Sequence, residues 1–160
     1  MHRFLVVVSV LAAGFVLTAC GEEKLSDNPV ERSMQIRRRS FEDMGELFKM
    51  MDDELKKSSP DSKKILDAAK KIETMGKDIP TWFPAGTGPE SGFKTHAKAE
   101  IWSDNPRFLK MHDEFMAEAT KLVHAASGDN NADTMSQYFT MGVACANCHK
   151  PFRTEIPGEK

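Results

Sequence analysis

Residues 131–155 read NADTMSQYFTMGVACANCHKPFRTE and contain the run Cys145-Ala146-Asn147-Cys148-His149. Upstream of it, Met135, Phe139, Gly142, Cys145, Cys148 and His149 recur at spacings of mostly three and four, which places them toward one side of a helix. The turn residues Gly128-Asp129-Asn130-Asn131 precede the segment, and it is expected to run to about Glu155, before Pro157. Pro151 lies inside it, where a missing N–H and a bulky ring bend a helix. The cysteine motif therefore stands late in a helix, with nothing strand-like before it.

The chain has three cysteines, and Cys20 belongs to a separate N-terminal segment, so none is left to pair with Cys145 or Cys148 outside the motif. A zinc site needs a fourth ligand and usually a second Cys/His cluster. His96, His112 and His124 show no paired spacing. A thioredoxin-type redox pair sits at the start of a helix after a strand, which is not the context here. C-x-x-C-H is the attachment pattern for c-type haem. Two thiols about one turn apart add across the two vinyl groups on one edge of the porphyrin. The adjacent imidazole then lies under the ring as an axial iron ligand. Cys145 and Cys148 are thus the expected covalent anchors of one haem c, and His149 the expected iron ligand.

Three further amphipathic stripes surround this segment. The first opens at Asp27-Asn28-Pro29, a cap residue followed by Pro at the first helical position. Met34, Phe41, Met44, Phe48, Met51 and Leu55 follow on one face, with Arg38, Glu42, Glu46 and Lys49 around the rest. The second opens at Ser59-Pro60 and carries Ile65, Ala68, Ile72, Met75 and Ile79 until Pro80 stops it. A third follows Asp104-Asn105-Pro106 and turns Phe108, Met111, Phe115, Ala119, Leu122 and Ala126 inward. Between the second and third, residues 80–103 hold Pro80, Pro84, Gly86, Gly88, Pro89 and Gly92, which rule out regular structure over most of the stretch. Trp82 and Trp102 stand near its ends, which suggests that those ends are packed. No segment alternates with a period of two, so the expected fold is all-α: an antiparallel four-helix bundle with one long loop between helices 2 and 3.

The N-terminus reads MHRFLVVVSVLAAGFVLTAC. One Arg precedes an apolar run of about 14 residues, short for a membrane span, and small residues follow it. Leu17-Thr18-Ala19-Cys20 resembles the lipobox of bacterial lipoproteins. That resemblance implies a signal peptide at 1–19, a lipid-bearing Cys20 and a polar tether at 20–28. It leaves a haem domain at 29–155 and a tail at 156–160. No Asp follows Cys20, which favours an outer-membrane anchor facing the bacterial periplasm. The remaining composition is that of a globular protein, 40% hydrophobic and 29% charged, and a formal net charge of −2 favours no nucleic acid partner.

A haem motif late in the last helix of a four-helix bundle resembles the cytochrome c′ family, the class II c-type cytochromes. The stretch Ile36-Arg37-Arg38-Arg39-Ser40-Phe41-Glu42-Asp43-Met44 is similar to that family's first-helix signature. Ala99-Glu100-Ile101-Trp102-Ser103-Asp104, with Gly86-Thr87 before it, looks like the family's loop, and Cys145 through Arg153 follows its terminal pattern. The resemblance implies that Arg37 and Arg38 contact the haem or its propionates, that Glu100 lies at the haem edge, and that Arg153 lies on the proximal side. Four residues separate His149 from Arg153, one helical face if Pro151 leaves the helix intact.

Phe41 matches the position over the distal face of the iron. A phenyl ring cannot ligate, so the resemblance implies a five-coordinate, high-spin haem with an apolar distal pocket, open to NO or CO. The alternative is a six-coordinate, low-spin carrier with Met44 as the sixth ligand. Peroxide cleavage needs a distal acid/base group, and His112 and His124 have no evident reason to reach the site, so no enzyme is expected. The implied partners are small redox proteins of the respiratory chain and a possible second copy of the chain.

Overall fold

The computed structural model describes residues 24–155. The expected signal peptide at 1–19, the proposed lipid site Cys20 and the tail 156–160 lie outside the described residues. Among the described residues there are five helices: α1 Pro29–Leu55, α2 Ser62–Asp78, α3 Glu100–Ser103, α4 Asn105–Ala126 and α5 Asn131–Phe152, with two 3₁₀ turns at Ile79–Trp82 and Pro89–Ser91. There is no strand among the described residues, only an isolated antiparallel bridge between Ala97 and Arg153. No described helix is long and apolar enough to cross a membrane.

α1 begins where its sequence signal stands. The Asn28 side-chain oxygen accepts from the N–H groups of Val30 and Glu31 at 2.9 and 3.3 Å, with Pro29 at the first helical position. α2 starts later than the Ser59-Pro60 signal. Its cap is Asp61, whose carboxylate accepts from Lys64 N–H at 3.1 Å. The reason is local: the buried Glu54 carboxylate takes the Asp61 N–H at 3.3 Å and Lys57 Nζ at 2.6 Å, which draws the turn closed around it.

The long helices pack α1 on α2, α2 on α4 and α4 on α5, giving the antiparallel four-helix bundle. Met51, Ile65, Ile72, Leu122 and Met141 are fully buried at its centre, each burial contributing roughly 1.5–3 kcal/mol. α2 and α4 approach closely at Gly76, where an added Cβ would sit 2.6 Å from Phe115 Cε1. There His112 Nε2 lies 2.9 Å from the Gly76 carbonyl oxygen, which ties the two helices together.

The inward stripe of α5 runs beside the expected one. Thr134, Tyr138 and Met141 are buried, whereas Phe139, expected inside, is 59% exposed. Tyr138 takes the interior place because its ring stacks on Phe48 of α1, centroids 4.2 Å apart and planes at 20°. α1 meets α5 through such rings and not through close backbone approach. The seam between these two helices is thus filled by side chains, and His149 of the cysteine motif lies on it.

Candidate functional site

The site is built at the end of α5. Pro151 stands one residue before the helix stops at Phe152, and Arg153 is already extended, with φ −123° and ψ 136°. Arg153 is thus not on the helical face of His149, as an unbroken helix would have placed it. Its N–H donates to the His149 carbonyl at 2.7 Å, and its backbone bridges Ala97 of the loop. Lys98 N–H donates to Phe152 O at 2.9 Å and Thr154 N–H to His96 O at 2.8 Å, so the loop clamps the chain just past the motif.

Cys145 and Cys148 are free thiols, half-buried and packed against the core. Burial, with Cys148 nearby as a lesser cause, pushes the Cys145 thiol up to about 11; burial also raises Cys148. Neither participates in a disulfide. One turn of helix separates them, the spacing two vinyl groups on one porphyrin edge require.

His149 faces Phe41 of α1 across the seam, with ring centroids 6.5 Å apart and planes at 74°. Phe41 is in turn held by two rings of the loop. Trp82 meets it edge-on at 5.0 Å and Phe83 lies at 6.1 Å. The cluster continues inward, Phe83 against Phe108 at 5.2 Å and Trp102 at 5.9 Å, and Phe108 against Phe152 at 5.4 Å. Phe83 was not among the residues singled out from sequence, because it lies in an aperiodic loop where no stripe marks it. Met44, the alternative sixth ligand, is buried within the core cluster three residues further along α1.

Arg37 is 5% exposed and turns into the loop. Its Nη1 donates to Trp82 O at 3.5 Å and Thr87 Oγ1 at 3.1 Å, and its Nη2 to Thr87 O and Thr95 Oγ1, both at 3.0 Å. The guanidinium also lies over the Phe83 ring at 4.8 Å and the Trp102 ring at 5.9 Å. Burial lowers its pKa to about 10, which leaves it charged at neutral pH. Arg38 instead points outward, its Nε 3.7 Å from Glu42 Oε1 with both side chains largely exposed. Glu100 opens α3 with its side chain exposed.

The structure thus brings Phe41, Cys145, Cys148 and His149 to one seam, with Arg37 and the loop aromatics beside them. These residues fit a covalent haem. Both thiols are unpaired, and the imidazole and phenyl centroids stand close to the roughly 7 Å that two van der Waals contacts on a flat ring need. The surrounding rings supply an apolar lining.

A family model described as cytochrome C′ matches residues 32–153. The cytochrome c′ of Rhodospirillum rubrum is 33% identical over 89 residues, 56% of this chain, and the match spans only 59% of that protein. The cytochrome c′ of Pararhodospirillum photometricum is 28% identical over 130 residues, covering 77% of this chain and 97% of that one. Among solved structures, the cytochrome c′ of Rubrivivax gelatinosus superposes with a TM-score of 0.69 at 27% identity, over 77% of this chain and 95% of the other. A nitric oxide complex of a variant cytochrome c prime from Alcaligenes xylosoxidans shares the fold, with a TM-score of 0.70 at 24% identity, over 79% of this chain and 97% of that one.

Proposed function

Because the chain belongs to the cytochrome c′ family, whose members carry one covalent haem c, we propose that it is a monohaem cytochrome of the bacterial periplasm, five-coordinate and high-spin, that binds nitric oxide or another small gas and exchanges electrons with small redox proteins. The observation that carries the reading is Phe41 opposite His149 at 6.5 Å. A bound haem would supply the one-electron redox change and iron able to take a diatomic ligand.

The chain's own residues do the rest. Cys145 and Cys148 would hold the macrocycle through thioether bonds made by addition of their S–H groups to its two vinyls, and His149 would ligate its iron. Phe41 occupies the opposite side and has no lone pair to donate. Neither Phe41 nor Phe83 beside it has a group that hydrogen-bonds water or an anion, while a neutral diatomic needs none. Arg37 and Arg38 are the cations proposed to lie toward the haem or its propionates, Arg153 toward the proximal side, and Glu100 toward the haem edge. The nitric oxide complex of the Alcaligenes xylosoxidans relative supports gas binding as a property of this architecture.

The reading is of a binder and carrier. A peroxidase needs an acid/base group above the iron, and the described ring opposite His149 is a phenyl, while His112 is held at the Gly76 carbonyl. The lipobox-like Leu17-Thr18-Ala19-Cys20 supports tethering by acyl chains at Cys20, and loss of acyl labelling in Cys20→Ser checks it.

The deciding experiment is the absorption spectrum of the ferric and ferrous protein, with and without CO or NO. High-spin bands and gas-dependent shifts are expected. A sulfur-to-iron charge-transfer band in the oxidised protein would instead mark a Met ligand and overturn the open sixth site.

A further inference from the structure

We propose that Arg37 is a positioning residue for the distal side: it holds Trp82 and Phe83 against Phe41, and so sets how readily a diatomic ligand reaches the iron. The inference rests on the gas-binding reading above.

Arg37 stands four residues before Phe41, on the same side of α1. Its planar fork reaches loop positions that lie 45, 50 and 58 residues away in sequence. The acceptors are arranged for it. Thr87 Oγ1 gives its own hydrogen to Pro84 O at 2.8 Å and so meets Arg37 with a lone pair. Thr95 Oγ1 accepts from both Arg37 and Ala97 N–H. The Phe83 ring lies under the guanidinium, and Trp102 Nε1 donates to Phe83 O at 3.0 Å, so Phe83 is held by ring and by backbone. Trp82 is held through its carbonyl, with its ring against Phe41.

The energetics argue for geometry over stability. A buried guanidinium with only neutral oxygen partners bears a desolvation cost that a packed aliphatic residue would avoid. All four terminal N–H directions end on loop oxygens. The sequence resemblance assigned Arg37 to the haem or its propionates; its terminal nitrogens also meet loop oxygens beside the rings that pack on Phe41. A lysine cannot replace it, because one ammonium does not span acceptors on three segments.

The test uses the haem-loaded protein, its Arg37→Lys variant, and Thr87→Val and Thr95→Val, each of which removes one hydroxyl acceptor of the fork from the loop side should Arg37→Lys fail to fold. CO association with the ferrous protein is followed by flash photolysis, and ring-to-ring NOEs between Phe41 and Trp82 are followed by NMR. Association is expected to quicken about fivefold or more in Arg37→Lys and in Thr87→Val. Arg37→Lys combined with Thr87→Val is expected to be no faster than Arg37→Lys alone, because both changes act on the same contact. Rates within about twofold of the parent, alongside a lowered Tm, would reduce Arg37 to a structural strut and overturn the proposal. If the parent takes up no CO, the proposed function fails. The inference is then judged on the NOEs: their loss in Arg37→Lys upholds it and their retention overturns it.

Discussion

Phe41 and His149 face each other across the seam of α1 and α5, their ring centroids 6.5 Å apart. The two residues stand more than a hundred positions apart in sequence, yet each is placed by the same kind of regularity, a helical stripe. Replacing Phe41 with Met puts a thioether where a phenyl cannot ligate. Phe41→Met is expected to convert the ferric protein to a low-spin spectrum with a sulfur-to-iron band. A thioether bound nine-tenths of the time lowers apparent CO affinity about tenfold, since only the open fraction binds. An unaltered spectrum would show that Phe41 does not stand over the iron.

Covalent attachment makes a separate prediction for the two thiols. Cys145→Ser and Cys148→Ser each leave one thiol to form a thioether, so each single variant is expected to keep stainable haem on a denaturing gel, at reduced yield. The double variant is expected to keep none after boiling in detergent. Haem retained by the double variant would remove the thioether reading altogether.

What the sequence disclosed and what it hid divides along physical lines. The stripe of α1 was legible because Met34, Met44, Met51 and Leu55 follow the helical period and are all buried. The Asn28 cap was legible because capping is a local interaction. In α5 the period alone did not separate Phe139 from Tyr138, neighbours of similar size; the choice is made by Phe48 across the seam. The role of Arg37 was hidden for a related reason. Its acceptors Thr87 and Thr95 lie in a loop without period, and nothing in a run of three arginines says which one turns inward. Pro151 marked a disturbance, but only the bridge to Ala97 shows that the helix stops there and carries Arg153 off the face of His149.

Close approach at Gly76 predicts a cost for the smallest side chain. Gly76→Ala gains up to about 1 kcal/mol in helix propensity. Against that, its Cβ would stand 2.6 Å from Phe115 Cε1 and 2.8 Å from Met116 Sδ. Met116 can move, but Phe115 is buried in the core, and overpacking of this kind costs roughly 1–3 kcal/mol. A net loss of about 1–2 kcal/mol is expected from denaturant unfolding of the haem-loaded protein. A variant as stable as the parent would mean that α2 and α4 have room to part.

Glu54 predicts the acid side of the stability curve. Its carboxylate accepts from Lys57 Nζ at 2.6 Å and from Asp61 N–H at 3.3 Å, with Lys64 Nζ at 3.5 Å. The Lys57 hydrogen bond is the largest cause holding it below its ordinary value of 4.5. A carboxylate depressed in the folded state contributes stability above its unfolded value and loses it as pH falls through the folded value. Glu54→Gln is therefore expected to lower Tm by a few degrees at pH 7. That deficit should hold down to about pH 5 and shrink below 4.5, as the parent's own carboxylate takes up its proton. Thermal melts of both proteins between pH 7 and pH 3 decide it: a deficit as large at pH 3 as at pH 7 would mean that the side chain's packing, and not its charge, closes the turn between α1 and α2.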